Sequence, residues 1–295
     1  MVSSIIGAYL TSKGIITGEQ LQEVLYLQQK VRVKLGLIAV AEGLMSGAEA
    51  DRVNRQQALQ DKRFGDLAVE MGYLTEGQVD SLLKKQGNAY MAFAQALADL
   101  GLISIEQLEQ CMVDFKEEKN LTNSDMEVLK SDDIDRILPL YMPAGCENYV
   151  EIAGVCVRTL ARLVDDSVYP EKAYFAEQID SDSAAIQYAE GDPCVTMGLS
   201  GIGSALLPLA SIFGQADFAE LDEEAIDAVA EFVNCVLGLY ASSVSLRGVE
   251  LELYPPEYST ENSGVQAEQM LVLPLHVKGR LINLILAFAN KMTLN

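Results

Sequence analysis

The chain has 295 residues, of which 49% are hydrophobic, so it is long enough and apolar enough to form two packed domains. Its 43 acidic and 21 basic residues give a net charge of −22, which excludes binding to a nucleic-acid backbone as the main function, because that binding needs a positive field. No apolar run reaches the length of a membrane span and no secretory signal is evident, so we expect a cytoplasmic protein that does not insert into membranes.

The distribution of charge indicates two domains, and the cysteine content argues against disulfides and metal sites. Residues 1–130 carry 13 basic and 18 acidic side chains, a net charge of −5, whereas residues 131–295 carry 8 and 25, a net charge of −17. This asymmetry predicts two domains. The five cysteines are scattered and odd in number, which favours buried, reduced thiols over disulfides. With one histidine and no paired cysteines, we expect no metal site.

A repeat of 29 residues runs through the N-terminal third of the chain. The repeated glycines are Gly7, Gly36 and Gly65 in a first series and Gly14, Gly43, Gly72 and Gly101 in a second. Each unit has the pattern of a helix, a turn at the second glycine, and another helix that begins at a polar cap such as Thr17, Thr75 or Ser104. We therefore predict an all-α domain over residues 1–115, built of four helix-turn-helix units that stack on their neighbours.

The repeats resemble the N-terminal domain of type II secretion and type IV pilus assembly ATPases. In some of those proteins a tandem motif that opens with Arg-Leu-Gly and closes on Gln binds cyclic di-GMP. Repeat three matches this motif with Arg63-Phe-Gly65 and Gln86, and repeat two has Lys34 in place of the arginine. The resemblance implies a nucleotide site formed by Arg63, Lys34, Gly65 and Gln86, because a guanidinium group stacks on guanine or pairs with phosphate. The alternative is that the repeats serve only to stack.

The chain changes character after the repeats. Residues 116–135 are polar, charged and without a clear period, which predicts a linker before a second domain over residues 136–295. Tyr149–Val164 has the apolar spacing of a long helix. The strand candidates are Ala173–Ile179, Ala184–Ala189, Cys194–Leu199, Ser204–Leu209, Val249–Tyr254, Gln269–Val277 and Leu281–Phe288. This order predicts an α+β domain in which two long helices pack on one face of an antiparallel sheet.

The second long helix is predicted over Leu221–Tyr240, with Asp222 as its N-cap. Its apolar residues form one face, and a second face carries the polar stripe, which consists of Asp227, Glu231, Asn234 and Gly238. Most polar stripes on helices are simply solvated. An asparagine inside a helix is disfavoured by about 0.7 kcal/mol relative to alanine, so its presence suggests a further role.

The run Asp227-x-x-x-Glu231-x-x-Asn234, followed about twenty residues later by Pro255-Pro256, resembles the signature of the CheC/CheX/FliY family of response-regulator phosphatases. The resemblance covers roughly residues 135–290 and implies a pseudo-duplicated sheet with two long helices. It implies that Glu231 and Asn234 are catalytic and that Asp227 and Gly238 support them. On the first helix Glu151 is followed by Gly154 where some members have an asparagine, so we expect at most one active centre.

The same resemblance implies that the substrate is the aspartyl phosphate of a CheY-like receiver domain. The receiver supplies Mg²⁺ and a lysine, so this chain needs no cofactor of its own. Asn234 would hold a water in line through its carbonyl oxygen, and Glu231 would pair with the receiver lysine. The alternative is a non-catalytic adaptor with the same fold, whose repeats bind cyclic di-GMP or a pilus or secretion partner. A homodimer is left open.

Overall fold

The computed structural model describes residues 1–30, 33–57, 62–84, 88–261 and 264–294. The chain divides into an N-terminal unit, Val2–Asp132, and a C-terminal unit, Asp133–Asn295, with which Met1 is grouped. The described residues form 13 α-helices and an antiparallel sheet of nine strands, which confirms the predicted α+β class.

The described part of the N-terminal unit consists of helices joined by turns and short loops. Its helices are α1 (Val2–Ser12), α2 (Gly18–Gln28), α3 (Leu35–Ala41), α4 (Gly47–Gln57), α5 (Phe64–Glu70), α6 (Glu76–Lys84), α7 (Ala89–Asp99), α8 (Ile105–Glu118) and α9 (Asn123–Lys130). The first eight form four helix-turn-helix pairs, which is the arrangement that the 29-residue repeat predicts. Capping boxes at Thr17 and Ser104 and reciprocal hydrogen bonds between Thr75 and Gln78 confirm the predicted helix starts.

Glycines of the second series end the first helix of every repeat. All four have a positive φ, between +66° and +73°; they are Gly14, Gly43, Gly72 and Gly101. Each glycine donates its N–H to the carbonyl three residues earlier, and the next residue donates to the carbonyl five residues earlier, at 2.9–3.1 Å. This is a Schellman motif, which requires the left-handed conformation that glycine adopts without strain. The glycines of the second series are therefore needed for the turn that joins the two helices of each repeat.

The segment predicted as a linker, residues 116–135, is largely helical. Helix α8 runs into it, and α9 fills much of the rest after a capping box formed by Thr122 and Asp125. Met126 and Leu129 of α9 are buried. The polar composition conceals this helix, because two buried side chains three residues apart are a weak periodic signal. The division between the two units falls near the end of the segment.

The C-terminal unit contains the remaining helices and the sheet. Its helices are α10 (Ile134–Ile137), a 3-10 turn (Leu138–Tyr141), α11 (Glu147–Leu163), α12 (Leu207–Gly214) and α13 (Glu223–Ser245). Its strands are β1 (Tyr169–Pro170), β2 (Tyr174–Ile179), β3 (Ser183–Glu190), β4 (Val195–Gly201), β5 (Glu252–Leu253), β6 (Glu257–Ser259), β7 (Val265–Val277), β8 (Arg280–Phe288) and β9 (Thr293–Leu294). The two long helices, α11 and α13, lie where the apolar spacing predicts them.

The sheet repeats one arrangement in its two halves. In each half a long helix is followed by an outer strand and a hairpin: α11, β2 and β3–β4 in the first, α13, β6 and β7–β8 in the second. The hairpins meet at the centre of the sheet through β4 and β8. Each outer strand pairs with the hairpin of the other half, β2 with β7 and β6 with β3. This exchange agrees with the predicted pseudo-duplicated sheet.

Alternating strand residues form two cores on opposite faces of the sheet. Met197, Leu273 and Leu284 are buried on the face that α11 and α13 cover. Ile186 and Ile285 belong to a smaller core on the other face. Both long helices therefore lie on one face, as predicted. By length and composition α13 is apolar enough to cross a membrane, but half of that window is buried inside the protein, as in a core helix.

Two strand predictions in this unit are wrong, and one expectation for the whole chain holds only in part. Ser204–Leu209 is a turn and the start of α12, with Pro208 in the first turn of the helix, rather than a strand. A short apolar run fits a strand and a buried helix equally well, which explains the error. The predicted strand Val249–Tyr254 forms only the two-residue β5. All five cysteines are free, as expected, but three of them are only partly buried.

Candidate active site

The polar stripe lies on α13, which begins as the sequence indicates. The Asp222 side chain accepts a hydrogen bond of 3.0 Å from the backbone N–H of Ala225 and so caps the helix. Ten residues along α13 are buried in the core of the C-terminal unit. This burial fixes the rotation of the helix about its axis, and the polar stripe is held on the opposite side.

Two carboxylates of the stripe, Asp227 and Glu231, are exposed and stand one helical turn apart. Neither makes a hydrogen bond or an ion pair with another residue in the described ranges. Like charges at this spacing repel each other modestly. A cationic group from outside the chain would relieve that repulsion, so this part of the stripe suits a basic partner residue.

Asn234 lies at the edge of the stripe, half-buried where α13 meets β3. Its Oδ1 accepts a hydrogen bond of 2.8 Å from Nε2 of Gln187, a β3 residue that is 2% exposed. Asn234 therefore does not project fully into solvent beside Glu231, because the step of three residues along the helix rotates it about 60° toward the sheet. One lone pair of its carbonyl oxygen is engaged. The other lone pair and the two N–H groups of the amide remain.

Gln187 links Asn234 to the loop after β5. Its Nε2 also donates to the backbone carbonyl of Tyr254, at 2.8 Å, so both N–H groups of the Gln187 amide are used. Tyr254 directly precedes Pro255 and Pro256, and all three lie between β5 and β6. The proline pair is thus connected to Asn234 through a single bridging side chain.

Gly238 follows Asn234 by one turn of α13 and has open space in front of it. A Cβ built on this residue meets no atom within 4 Å. A glycine inside a helix is disfavoured by about 1 kcal/mol relative to alanine. No close contact within the described chain requires a glycine here, so packing does not account for this loss of helix stability. The partly exposed backbone at this position leaves room for an approaching partner.

The first long helix has a different arrangement at the corresponding place. Oε1 of Glu151 accepts a hydrogen bond of 3.0 Å from Ser243, and its Oε2 accepts one of 2.6 Å from Arg247. The hydrogen bond to Glu151 raises the pKa of Arg247. Glu151 is thus engaged within the unit, and the residue three positions later is Gly154, which has no amide side chain. That there is at most one active centre stays a prediction.

A cavity of about 800 Å³ in the N-terminal unit brings together three of the four residues expected at the nucleotide site. Lys34, Arg63 and Gly65 line it, whereas Gln86 lies outside the described residues. Its acidic lining residues outnumber these two basic ones; they are Asp66, Glu70, Glu76 and Asp80. Such a lining gives a negative potential, which repels the phosphates of a nucleotide.

The three described residues of this expected site have roles inside the N-terminal unit. Arg63 forms an ion pair of 3.0 Å with the aspartate three residues later, and Lys34 forms one of 3.0 Å with Asp99. A Cβ on Gly65 would lie 2.7 Å from Cγ1 of Val79, so glycine is needed here for α5 to pack against α6. These partners favour the stacking alternative over cyclic di-GMP binding.

Solved structures of chemotaxis proteins resemble about half of the chain, although no protein-family model and no curated protein sequence matches it. A CheC-like superfamily protein from Shewanella sp. PV-4 is 17% identical over 46% of this chain and 94% of its own, with a TM-score of 0.42. The chemotaxis protein CheX from Desulfovibrio desulfuricans is 15% identical over 47% and 99%, with a TM-score of 0.39. A CheX–CheY–BeF3–Mg²⁺ complex from Borrelia burgdorferi gives 17% identity over 48% and 97%, with a TM-score of 0.36. At these identities the likeness says nothing about activity, and the N-terminal resemblance to secretion ATPases stays a prediction.

Sequence reasoning missed Gln187. It stands on the helix-facing side of β3 between Ala185 and Ala189, which are both fully buried. A polar residue at a buried position of an alternating strand is a usable signal, because a buried amide requires hydrogen-bond partners. Its partner, however, is 47 residues away in the chain, and spacing alone does not identify it.

Proposed function

We propose that the protein is a cytoplasmic phosphatase whose C-terminal unit hydrolyses the aspartyl phosphate of a CheY-like receiver domain. One observation carries the proposal: a single helix presents Glu231, an exposed carboxylate that no described residue pairs, one turn from Asn234, a carboxamide held in one orientation. An acyl phosphate is already reactive. A partner that docks on the receiver and positions a water is therefore sufficient for catalysis.

In the proposed reaction a water oxygen attacks the phosphorus in line with the bond to the receiver aspartate. The new P–O bond forms as the bond between phosphorus and the aspartate oxygen breaks, and the carboxylate leaves with the electron pair. The proton of the water passes to the phosphate product or to solvent. Asn234 holds the water through the remaining lone pair of Oδ1, while its N–H groups are free to donate to a phosphoryl oxygen.

The receiver supplies the remaining charges in this proposal. Its Mg²⁺ and lysine stabilise the transferring phosphoryl group. The described part of this chain contains no group of three or more His, Cys, Asp or Glu side chains that could hold a metal ion. Glu231 pairs with the receiver lysine, and Asp227 adds negative charge one turn earlier.

Glu231→Ala is expected to raise the apparent KM for the phosphorylated receiver about tenfold and to lower kcat as well, because a charge pair at the docking face is lost. The free energy of unfolding should change by less than about 0.5 kcal/mol, since Glu231 is exposed. The measurement is the decay of receiver domains from the same genome after labelling with acetyl phosphate, at several concentrations of the phosphorylated receiver.

Glu177→Ala removes another exposed carboxylate, on β2, and is the matched control with unchanged kinetics. Acceleration of the decay by the wild-type protein supports the proposed function. A receiver that binds the protein and still decays at its intrinsic rate contradicts it. The non-catalytic adaptor would then be the better description, and the engagement of Asn234 Oδ1 by Gln187 would be a purely structural contact.

Gly238→Ala is expected to have opposite effects on stability and on docking. The free energy of unfolding should rise by about 1 kcal/mol, because alanine is the better helix former and the added methyl group meets open space. The KM for the receiver should rise, because the methyl group occupies the space of the approaching partner. Gly77→Ala on α6 is the control, since its added methyl group also meets no atom within 4 Å. A stabilised Gly238→Ala protein with unchanged KM would remove this residue from the docking face.

A further inference from the structure

Gln187 occupies the centre of β3 and belongs to none of the sequence motifs. It is 2% exposed, and its cross-strand partner on β4 is the fully buried Met197. Its Nε2 donates to two acceptors at 2.8 Å each, Oδ1 of Asn234 and the backbone carbonyl of Tyr254. Its own Oε1 is buried and has no hydrogen-bond partner among the described residues.

The carbonyl of Tyr254 determines which way the Gln187 amide faces. A backbone carbonyl accepts hydrogen bonds and cannot donate them, so a reversed amide would bring two oxygen atoms together. Nε2 must therefore face both acceptors, and Asn234 must turn Oδ1 toward Gln187. The orientation of the Asn234 amide is thus set by a backbone atom, through one bridging side chain.

We infer that Gln187 is a positioning residue that holds the Asn234 amide in its working orientation, an inference that rests on the proposed phosphatase function. The terminal torsion of an asparagine is broad and roughly two-fold, so without a partner the oxygen and the nitrogen exchange places. The hydrogen bond from Gln187 prevents this exchange. The free lone pair of Oδ1 and the N–H groups then keep constant directions toward the water and the phosphoryl group.

The unpaired Oε1 shows that glutamine is not the choice that packing alone would favour. A methionine has a similar length, would lie beside Met197, and would bury no unpaired oxygen. What methionine cannot provide is the donor that reaches Asn234 and Tyr254. Replacement by methionine therefore separates a positioning role from a structural one.

Gln187→Met in the full-length protein is the first test. We expect kcat for dephosphorylation of a CheY-like receiver labelled with acetyl phosphate to fall about tenfold, with KM unchanged. The midpoint of thermal unfolding should stay close to the wild-type value, because the two lost hydrogen bonds and the removal of the unpaired Oε1 offset each other. Gln187→Leu is the second variant, and it keeps the test decisive if the methionine protein fails to fold. A kcat at the wild-type level in a folded variant overturns the inference.

The combination with Asn234→Ala decides whether Gln187 acts through Asn234. If it does, Gln187→Met causes no further loss of kcat in the Asn234→Ala background, because that background lacks the amide that Gln187 would hold. A further tenfold loss in that background would mean that Gln187 acts by another route, and the inference would be wrong.

A measurement without catalysis separates this inference from the proposed function. The two side-chain N–H protons of Asn234 give a pair of nuclear magnetic resonance signals in the ¹⁵N-labelled protein, which Asn234→Ala identifies by their disappearance. We expect this pair to shift in Gln187→Met. Unchanged signals overturn the positioning role whatever the enzyme assay shows. Shifted signals together with a receiver decay that neither variant alters support the positioning role and contradict the phosphatase function.

Discussion

Asn234→Ala is expected to lower kcat for receiver dephosphorylation about 100-fold with little change in KM, a loss of about 2.7 kcal/mol of transition-state stabilisation. The substitution removes the oxygen that holds the water and leaves Glu231 and Gly238 in place on the docking face. The two kinetic constants come from receiver decay at increasing concentrations of phosphorylated receiver. The two substitutions therefore differ in their kinetic effects, because Glu231→Ala raises KM besides lowering kcat.

The same substitution is expected to lower the free energy of unfolding by roughly 0.5–1 kcal/mol. A solvated Asn234 would give no loss or a small gain, because alanine is the better helix former. In the structure, however, the substitution deprives Nε2 of the buried Gln187 of one of its two acceptors. The cost of that lost hydrogen bond outweighs the gain in helix propensity.

Asn234→Asp is the matched control for this prediction. Its carboxylate retains an oxygen for Gln187, so stability should be preserved, while the added negative charge disfavours an approaching phosphoryl group. The catalytic assignment is wrong if Asn234→Ala leaves receiver decay unchanged. It is equally wrong if the alanine protein unfolds, since Asn234 would then be mainly a core residue.

The parts of the fold that follow from local rules could be predicted from the sequence. The turn at Gly72, for example, needs a residue that adopts positive φ without strain, and this requirement repeats at 29-residue intervals whatever the tertiary structure. The start of α13 at Asp222 is equally local, because the capping hydrogen bond spans three residues. Such features are decided within a few residues of the chain.

The parts that depend on distant residues could not be predicted. The sequence gives Lys34 no partner, but in the structure its ammonium group is paired with Asp99, 65 residues later. Asn234 lies on the predicted stripe, but its amide is held by Gln187, 47 residues earlier. In both cases the helix or repeat pattern places the residue correctly, while the partner that decides its chemistry comes from another element.

Asp165→Ala is expected to lower the free energy of unfolding of the C-terminal unit by about 3 kcal/mol, because its buried carboxylate holds two segments together. Asp165 follows α11 and is 4% exposed. Its Oδ1 accepts hydrogen bonds of 3.0 and 2.6 Å from the N–H and the hydroxyl of Ser167. Its Oδ2 accepts one of 2.6 Å from the backbone N–H of Lys278.

Lys278 and Gly279 form the turn between β7 and β8, with φ values of +48° and +73°. A two-residue hairpin turn of this type needs positive φ at both positions, which a lysine adopts only with strain. Asp165 supports the strained residue from outside the hairpin. Asp165→Asn should be intermediate, because its amide retains one oxygen acceptor but turns a donor toward the remaining N–H group.

Urea unfolding of the full-length protein tests this prediction, with Asp180→Ala as a control that removes an exposed carboxylate and should change stability by less than about 0.5 kcal/mol. Equal stability of the two alanine variants would show that the carboxylate does not hold the turn. Because the hydrogen bonds of Asp165 go to Ser167 and to the hairpin turn, kcat of folded Asp165→Ala should match the wild type. Asn234→Ala should do the reverse, with a large loss of kcat and a small loss of stability, so the pair of variants separates the scaffold from the site.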